Sequence, residues 1–137
     1  MSEIQYYIFA AKAFKFTDIK SKTITLAVEL PYSRNFAVVE QDTSGEVGDD
    51  VIKEKEFKEF YKPNEENTVH VYRLANVKSN EKENILIMKL PYTAAYFVVM
   101  QDNSGEIESS YYKEKQLIKE FKMLNKHHLS KLNGYKK

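Results

Sequence analysis

The chain spells one phrase twice: "LPYSRNFAVVEQDTSGE" begins at Leu30 and "LPYTAAYFVVMQDNSGE" at Leu90. Sliding the sequence by sixty residues aligns residues 30–55 with 90–115 without a gap, and thirteen of these twenty-six pairs are identical. The shared words are LPY, VV, QD, SGE and KEK. Upstream, "QYYIFAAK" pairs with "VHVYRLANVK" once about five residues are taken as an insertion in the first copy. This is the pattern of an internal duplication. Two copies are too few for a solenoid, where at least three stacked units are usual. A sixty-residue unit also buries little surface alone. The expectation is therefore one pseudo-symmetric domain over residues 1–137. Repeat 1 covers about 1–63 and repeat 2 about 64–137, with a basic helical C-terminal extension over 121–137.

Each copy reads as strands followed by a helix. β-Branched and aromatic residues predict an opening strand over 4–11 and again over 69–74. A second strand is expected over 23–30 and 84–90. In "TITLAVEL" the larger apolar residues fall at every second position, the mark of a half-buried strand. Pro31 and Pro91 end these strands because proline has no N–H to donate. A third strand is expected over 36–41 and 96–101, then a tight glycine hairpin at "QDTSGE" and "QDNSGE". A short fourth strand follows over 46–47 and 106–108.

Asp49–Asp50 read as helix caps for "DDVIKEKEFKEFYKP", whose buried face would be Phe57, Phe60 and Tyr61. Ser109–Ser110 would cap a longer second helix with the stripe Leu117, Phe121, Leu124 and His128, stopping at Asn133–Gly134. The fold class this implies is α+β: an internally duplicated, strand-rich cassette ending in a helix, with an antiparallel sheet and two helices packed on one face.

The chemistry expected of such a chain is limited. It has no cysteine, which removes disulfides, thiolate catalysis and sulfur-ligated zinc. No stretch reaches the length of a membrane span, so a cytoplasmic protein without a membrane partner is expected. The twin loops resemble an EF-hand calcium loop at Asp102, Ser104, Gly105 and Ile107. Its first and last ligand positions, however, would be Met100 and Tyr111, or Glu40 and Val51 in the first copy. His127 and His128 are adjacent and cannot chelate one metal as an i, i+4 pair does. No GxSxG, P-loop, GxGxxG or HExxH motif occurs. Neither a cofactor, a metal site nor a catalytic set is expected.

Charge and aromatics carry the functional expectation. Five acids and no base lie between Glu40 and Asp50, while residues 121–137 hold five lysines and no acid. Ten tyrosines are more than a core of this size buries, and tyrosine suits interfaces. The leading expectation is a non-enzymatic protein-interaction module docking an unidentified protein through Asp42, Glu46, Asp102 and Glu106 of the hairpins, with Tyr32 and Tyr92. The alternative is a nucleic-acid-binding protein using Lys122, Lys126, Lys131, Tyr135, Lys136 and Lys137 on the basic tail, with aromatic strand residues. The Lys-, Asn-, Ile- and Tyr-rich composition resembles that of proteins from AT-rich bacterial genomes, their phages and mobile elements. Small proteins there often inhibit or assist a larger machine. The partner's identity and the oligomeric state are not encoded in any motif.

Overall fold

The computed structural model describes residues 7–75, 83–121 and 124–131. Strands β1 (Tyr7–Thr17), β2 (Ile24–Glu29), β3 (Phe36–Gln41) and β4 (Val47–Ile52) lead into helix α1 (Glu54–Tyr61). One 3₁₀ turn at Glu65–Asn67 precedes β5 (Thr68–Ala75), β6 (Asn84–Lys89), β7 (Ala95–Gln101) and β8 (Ile107–Lys113). Two short helices follow, α2 (Glu114–Glu120) and α3 (Lys126–Lys131). All eight strands join one sheet in the order β4-β3-β2-β1-β5-β6-β7-β8, and every pairing is antiparallel. The molecule is mostly β and fits an α+β class only broadly.

The sheet is curled. Residues at the end of β3 hydrogen-bond to the loop between β6 and β7, with Gln41 Oε1 2.9 Å from the Tyr92 nitrogen. In a flat sheet β3 and β7 would stand about 24 Å apart, five strand spacings. At the two edges, the Tyr111 hydroxyl of β8 donates to the Asp49 carboxylate of β4. Burial, that hydrogen bond and the Asp49 charge all hold the Tyr111 phenol well above the usual tyrosine range. Curling buries the inner face without a covering helix: Leu26, Val28, Val39, Val71, Leu86, Phe97 and Val99 are each at most 2% exposed. Filling a small barrel-like interior with aliphatic side chains is how eight-stranded sheets close on themselves.

The outer face carries the aromatic cluster. The register puts Phe14 opposite Ala27 and Ala27 opposite Val38, so these share a face with Phe16 and Phe36. Phe57 of α1 lies on them fully buried, its ring stacked on Phe36 at 4.1 Å between centroids and 5.8 Å from Phe14. Further along that face the Tyr72 ring meets His128 edge-on at 5.7 Å, and Tyr112 meets Phe121 at 6.2 Å.

Several sequence expectations need correction. The first strand runs Tyr7–Thr17, six residues beyond the predicted end, because "AKAFKFT" alternates small residues inward with Phe14 and Phe16 outward. Thr17 pairs with Ile24 and Ala75 with Asn84, so six residues join β1 to β2 and eight join β5 to β6. The longer connection is in the second half, opposite to the expected insertion.

Asp49–Asp50 and Ser109–Ser110 are strand residues rather than helix caps. Pairing with β3 extends from Val47↔Gln41 to Ile52↔Phe36, and with β7 from Ile107↔Gln101 to Lys113↔Ala95. The β-formers Val51, Ile52, Tyr111 and Tyr112 outweigh the cap signal. Helices start only at Glu54 and Glu114. Phe60, expected on the buried face, is 78% exposed. Strand β2 is buried on both faces, Thr25 and Ala27 included, since one face lines the interior and the other lies beneath the aromatic cluster. The expected single second helix is broken after Glu120, so its stripe divides among α2 (Leu117), the following residues Phe121 and Leu124, and α3 (His128). The stop at Asn133–Gly134 lies outside the described residues.

Candidate functional site

Each hairpin is built by its aspartate and glycine. Asp42 Oδ1 accepts from the Ser44 N–H (2.9 Å), the Ser44 hydroxyl (2.5 Å) and the Glu46 N–H (3.2 Å). Asp102 repeats this with Ser104 N–H (2.9 Å), Ser104 hydroxyl (2.5 Å) and Glu106 N–H (3.3 Å). A short carboxylate folding back on its own backbone is an Asx-turn. The serine hydroxyl first, then the backbone donors, hold both aspartates below the usual carboxylate range. The chain then reverses through Gly45 at φ 94° and Gly105 at φ 92°, where a side chain would be strained. Glu46 and Glu106 follow on the exposed side.

The glutamines before these turns explain why the two copies share so many words. Gln41 and Gln101 are each 1% exposed. The Tyr92 N–H donates to Gln41 Oε1 (2.9 Å), and Gln41 Nε2 donates to Thr93 Oγ1 (3.1 Å) and to the Gly45 carbonyl (3.2 Å). Reciprocally, the Tyr32 N–H donates to Gln101 Oε1 (2.9 Å). Gln101 Nε2 donates to Ser33 Oγ (3.1 Å) and the Gly105 carbonyl (3.4 Å). The "QDxSGE" of each half thus reads the "LPY[ST]" of the other. Sequence reasoning did not select Gln41, Gln101, Ser33 or Thr93. The available signal was the paired identity of QD with LPY, which a turn alone does not require.

The interlock ties the hairpin of Asp42 and Glu46 to the Tyr92 backbone and the hairpin of Asp102 and Glu106 to the Tyr32 backbone, each tyrosine coming from the opposite half. These two junctions are the composite corners of the molecule. Both rings are pinned yet partly open. The Tyr92 hydroxyl donates to the Lys22 carbonyl, and the Tyr32 hydroxyl accepts from Asn84 Nδ2 (3.1 Å); the residues are 37% and 39% exposed. Asn84 also accepts from Arg73 (2.6 Å), whose guanidinium lies 4.9 Å from the centre of the Phe9 ring.

Beside each hairpin lies a small hollow. One of about 270 Å³ is lined by Glu40, Asp42 and Glu46, and one of about 140 Å³ by Glu83, Asp102, Glu106 and Glu108. Such concave, acidic surfaces favour cationic groups over anions. Among the described residues no trio of histidine or carboxylate groups is placed to hold a metal ion, and no helix is long and apolar enough to cross a membrane. Of the basic-tail residues, Lys126 is exposed at the start of α3. Lys122, Tyr135, Lys136 and Lys137, and the side chain of Lys131, lie outside the described residues.

Comparison with protein-family models, characterised proteins and solved structures finds no match for this chain.

Proposed function

We propose that this chain is a non-enzymatic protein-interaction module that grips a cationic partner surface with its two acid–tyrosine corners. The supporting observation is the reciprocal Gln41–Tyr92 and Gln101–Tyr32 interlock, which presets a carboxylate, a hairpin and a pinned tyrosine at each corner. A surface ordered before binding loses less side-chain entropy on association. Tyrosine supplies contact area with few rotatable bonds.

In this reading the chain is one pseudo-symmetric domain that arose by internal duplication, with helices on one face of its sheet. The identities between copies and the symmetric strand order support it. Composition supports a small inhibitor or accessory protein of a phage or mobile element, working in the cytoplasm. The basic tail is the basis of the competing nucleic-acid reading.

The test uses Glu46→Lys and Glu106→Lys, alone and together, because Asp42 and Asp102 are needed by the turns. Thermal melts should stay near wild type, since exposed charges usually change stability by less than about 0.5 kcal/mol. Recovery of the partner captured by wild-type protein from a native lysate should fall with one change and be lost with both. A double variant that melts normally and still captures the same partner refutes the corner reading.

A further inference from the structure

The outer face of the sheet is covered unequally in its two halves. The sixty-residue shift places Glu40 against Met100, Asp50 against Ser110, Glu56 against Gln116 and Glu59 against Lys119. In the second half the corresponding row is apolar. Leu74 pairs with Ile85, which pairs with Met100, and both Leu74 and Ile85 are fully buried. The chain's own C-terminal segment joins this cluster: Leu124 and Leu129 are at most 1% exposed, and His128 rests on Tyr72. That segment is short, helical and lysine-bearing.

In the first half the matching row is Phe16↔Thr25↔Glu40, in which Thr25 is buried, Phe16 is half-buried and Glu40 is exposed. After α1, Lys62 takes a left-handed conformation (φ 48°), and the 3₁₀ turn carries the chain directly into β5. What remains is a groove of two hollows that both have Phe60 and Tyr61 in their walls. One, about 460 Å³, lies against Phe16, Asp18 and Glu40; the other, about 520 Å³, lies against Ile52, Glu56 and Glu59. Each is within the size range of ligand-binding clefts. The aromatic floor is acid-rimmed. Burial first, then the charges of Glu40 and Asp50, raise the Tyr61 phenol above its usual range, so both carboxylates act on that ring. On α1, Lys58 is engaged 3.6 Å from Glu54.

We propose that this groove docks a lysine-bearing amphipathic helix of a partner protein, seated on the first half as the chain's own C-terminal segment is seated on the second. The proposal rests on the interaction-module reading and adds the partner's chemistry. Leucine-type side chains enter the hollows beside Phe60 and Tyr61, and lysines meet the acidic rim. This is helix-in-groove recognition with charge selecting the ligand.

The test titrates two labelled synthetic helices, one of leucine and lysine and one of leucine and glutamate in the same pattern, against the intact protein by fluorescence anisotropy. The basic helix should bind saturably, at least about tenfold tighter than the acidic one, and weaken as salt rises. Phe60→Ser should weaken it by about tenfold or more with an unchanged melting temperature, because that ring is exposed in the free protein. Glu40→Lys with Glu59→Lys should reverse the preference between the two helices. The corner variants Glu46→Lys and Glu106→Lys should bind the basic helix normally, so groove and corners fail separately. Absence of saturable binding, equal binding of both helices, or indifference to Phe60→Ser overturns the proposal. So does self-association of the intact protein that Phe60→Ser abolishes, which would give the groove to a second copy.

Discussion

Gln41 uses both ends of a buried amide, accepting from one half's backbone and donating to that half's threonine. Replacing it with alanine leaves the Tyr92 N–H and the Gly45 carbonyl without their partner, which costs about 1–3 kcal/mol when the group stays buried. Gln41→Ala and Gln101→Ala should each lower the unfolding free energy from a urea melt by that amount. Substituting Gly45 or Gly105 with alanine should cost about 1 kcal/mol or more through the positive φ, whereas Gly48→Ala, with open space around its Cβ, should be near neutral.

The hairpin aspartates also set a pH dependence. Asp42 and Asp102, like Asp18, titrate below their ordinary value, so the folded state holds their protons less tightly than the unfolded chain does. Their contribution is complete above the unfolded carboxylate value of about 3.9 and is lost as pH falls through the lowered folded values. Asp42→Asn with Asp102→Asn should flatten the fall of melting temperature as pH drops below about 4. At this scale the sequence was half legible. Asp and Gly announce a turn by their own chemistry, but a glutamine's role depends on which distant loop the sheet brings to it.

Among the elements, the strands at the centre of each half were readable because burial and β-propensity agree in "ITLAVE", "FAVVEQ" and "NILIMK". Helix boundaries were not. "VGDDVI" and "IESSYYK" carry cap residues within edge strands, where solvent satisfies the polar groups and only long-range pairing fixes the conformation. Nor does helical periodicity alone say which aromatic of α1 faces inward; the curl of the sheet beneath it decides. Phe57→Ala should destabilise by about 3–5 kcal/mol, because the residue is fully buried in a ring cluster. Phe60→Ala should leave the unfolding free energy within about 0.5 kcal/mol of wild type. A larger loss at Phe60 than at Phe57 in chemical denaturation would mean that α1 turns its other face to the sheet.

For the molecule as a whole, β1 and β5 are the seam. They pair from Tyr7↔Ala75 to Phe14↔Thr68, while the two hairpins interlock across the same divide. Separately expressed halves should each lack stable tertiary structure, since neither retains the seam, and should regain a cooperative melt when mixed; circular dichroism with thermal unfolding reads both outcomes. The same seam has a consequence for assembly. Its partners lie more than fifty residues apart, so each half emerges and collapses before its mate is in reach. Because both halves present equivalent words to each other, a half from a neighbouring molecule fits the vacancy as well as the chain's own. Refolding at high concentration should therefore divert material into exchanged dimers in which Gln41 of one chain holds Tyr92 of another, and dilution should restore monomer. A chain built to recognise a version of itself depends on tethering, rather than on any distinctive contact, to choose the right copy.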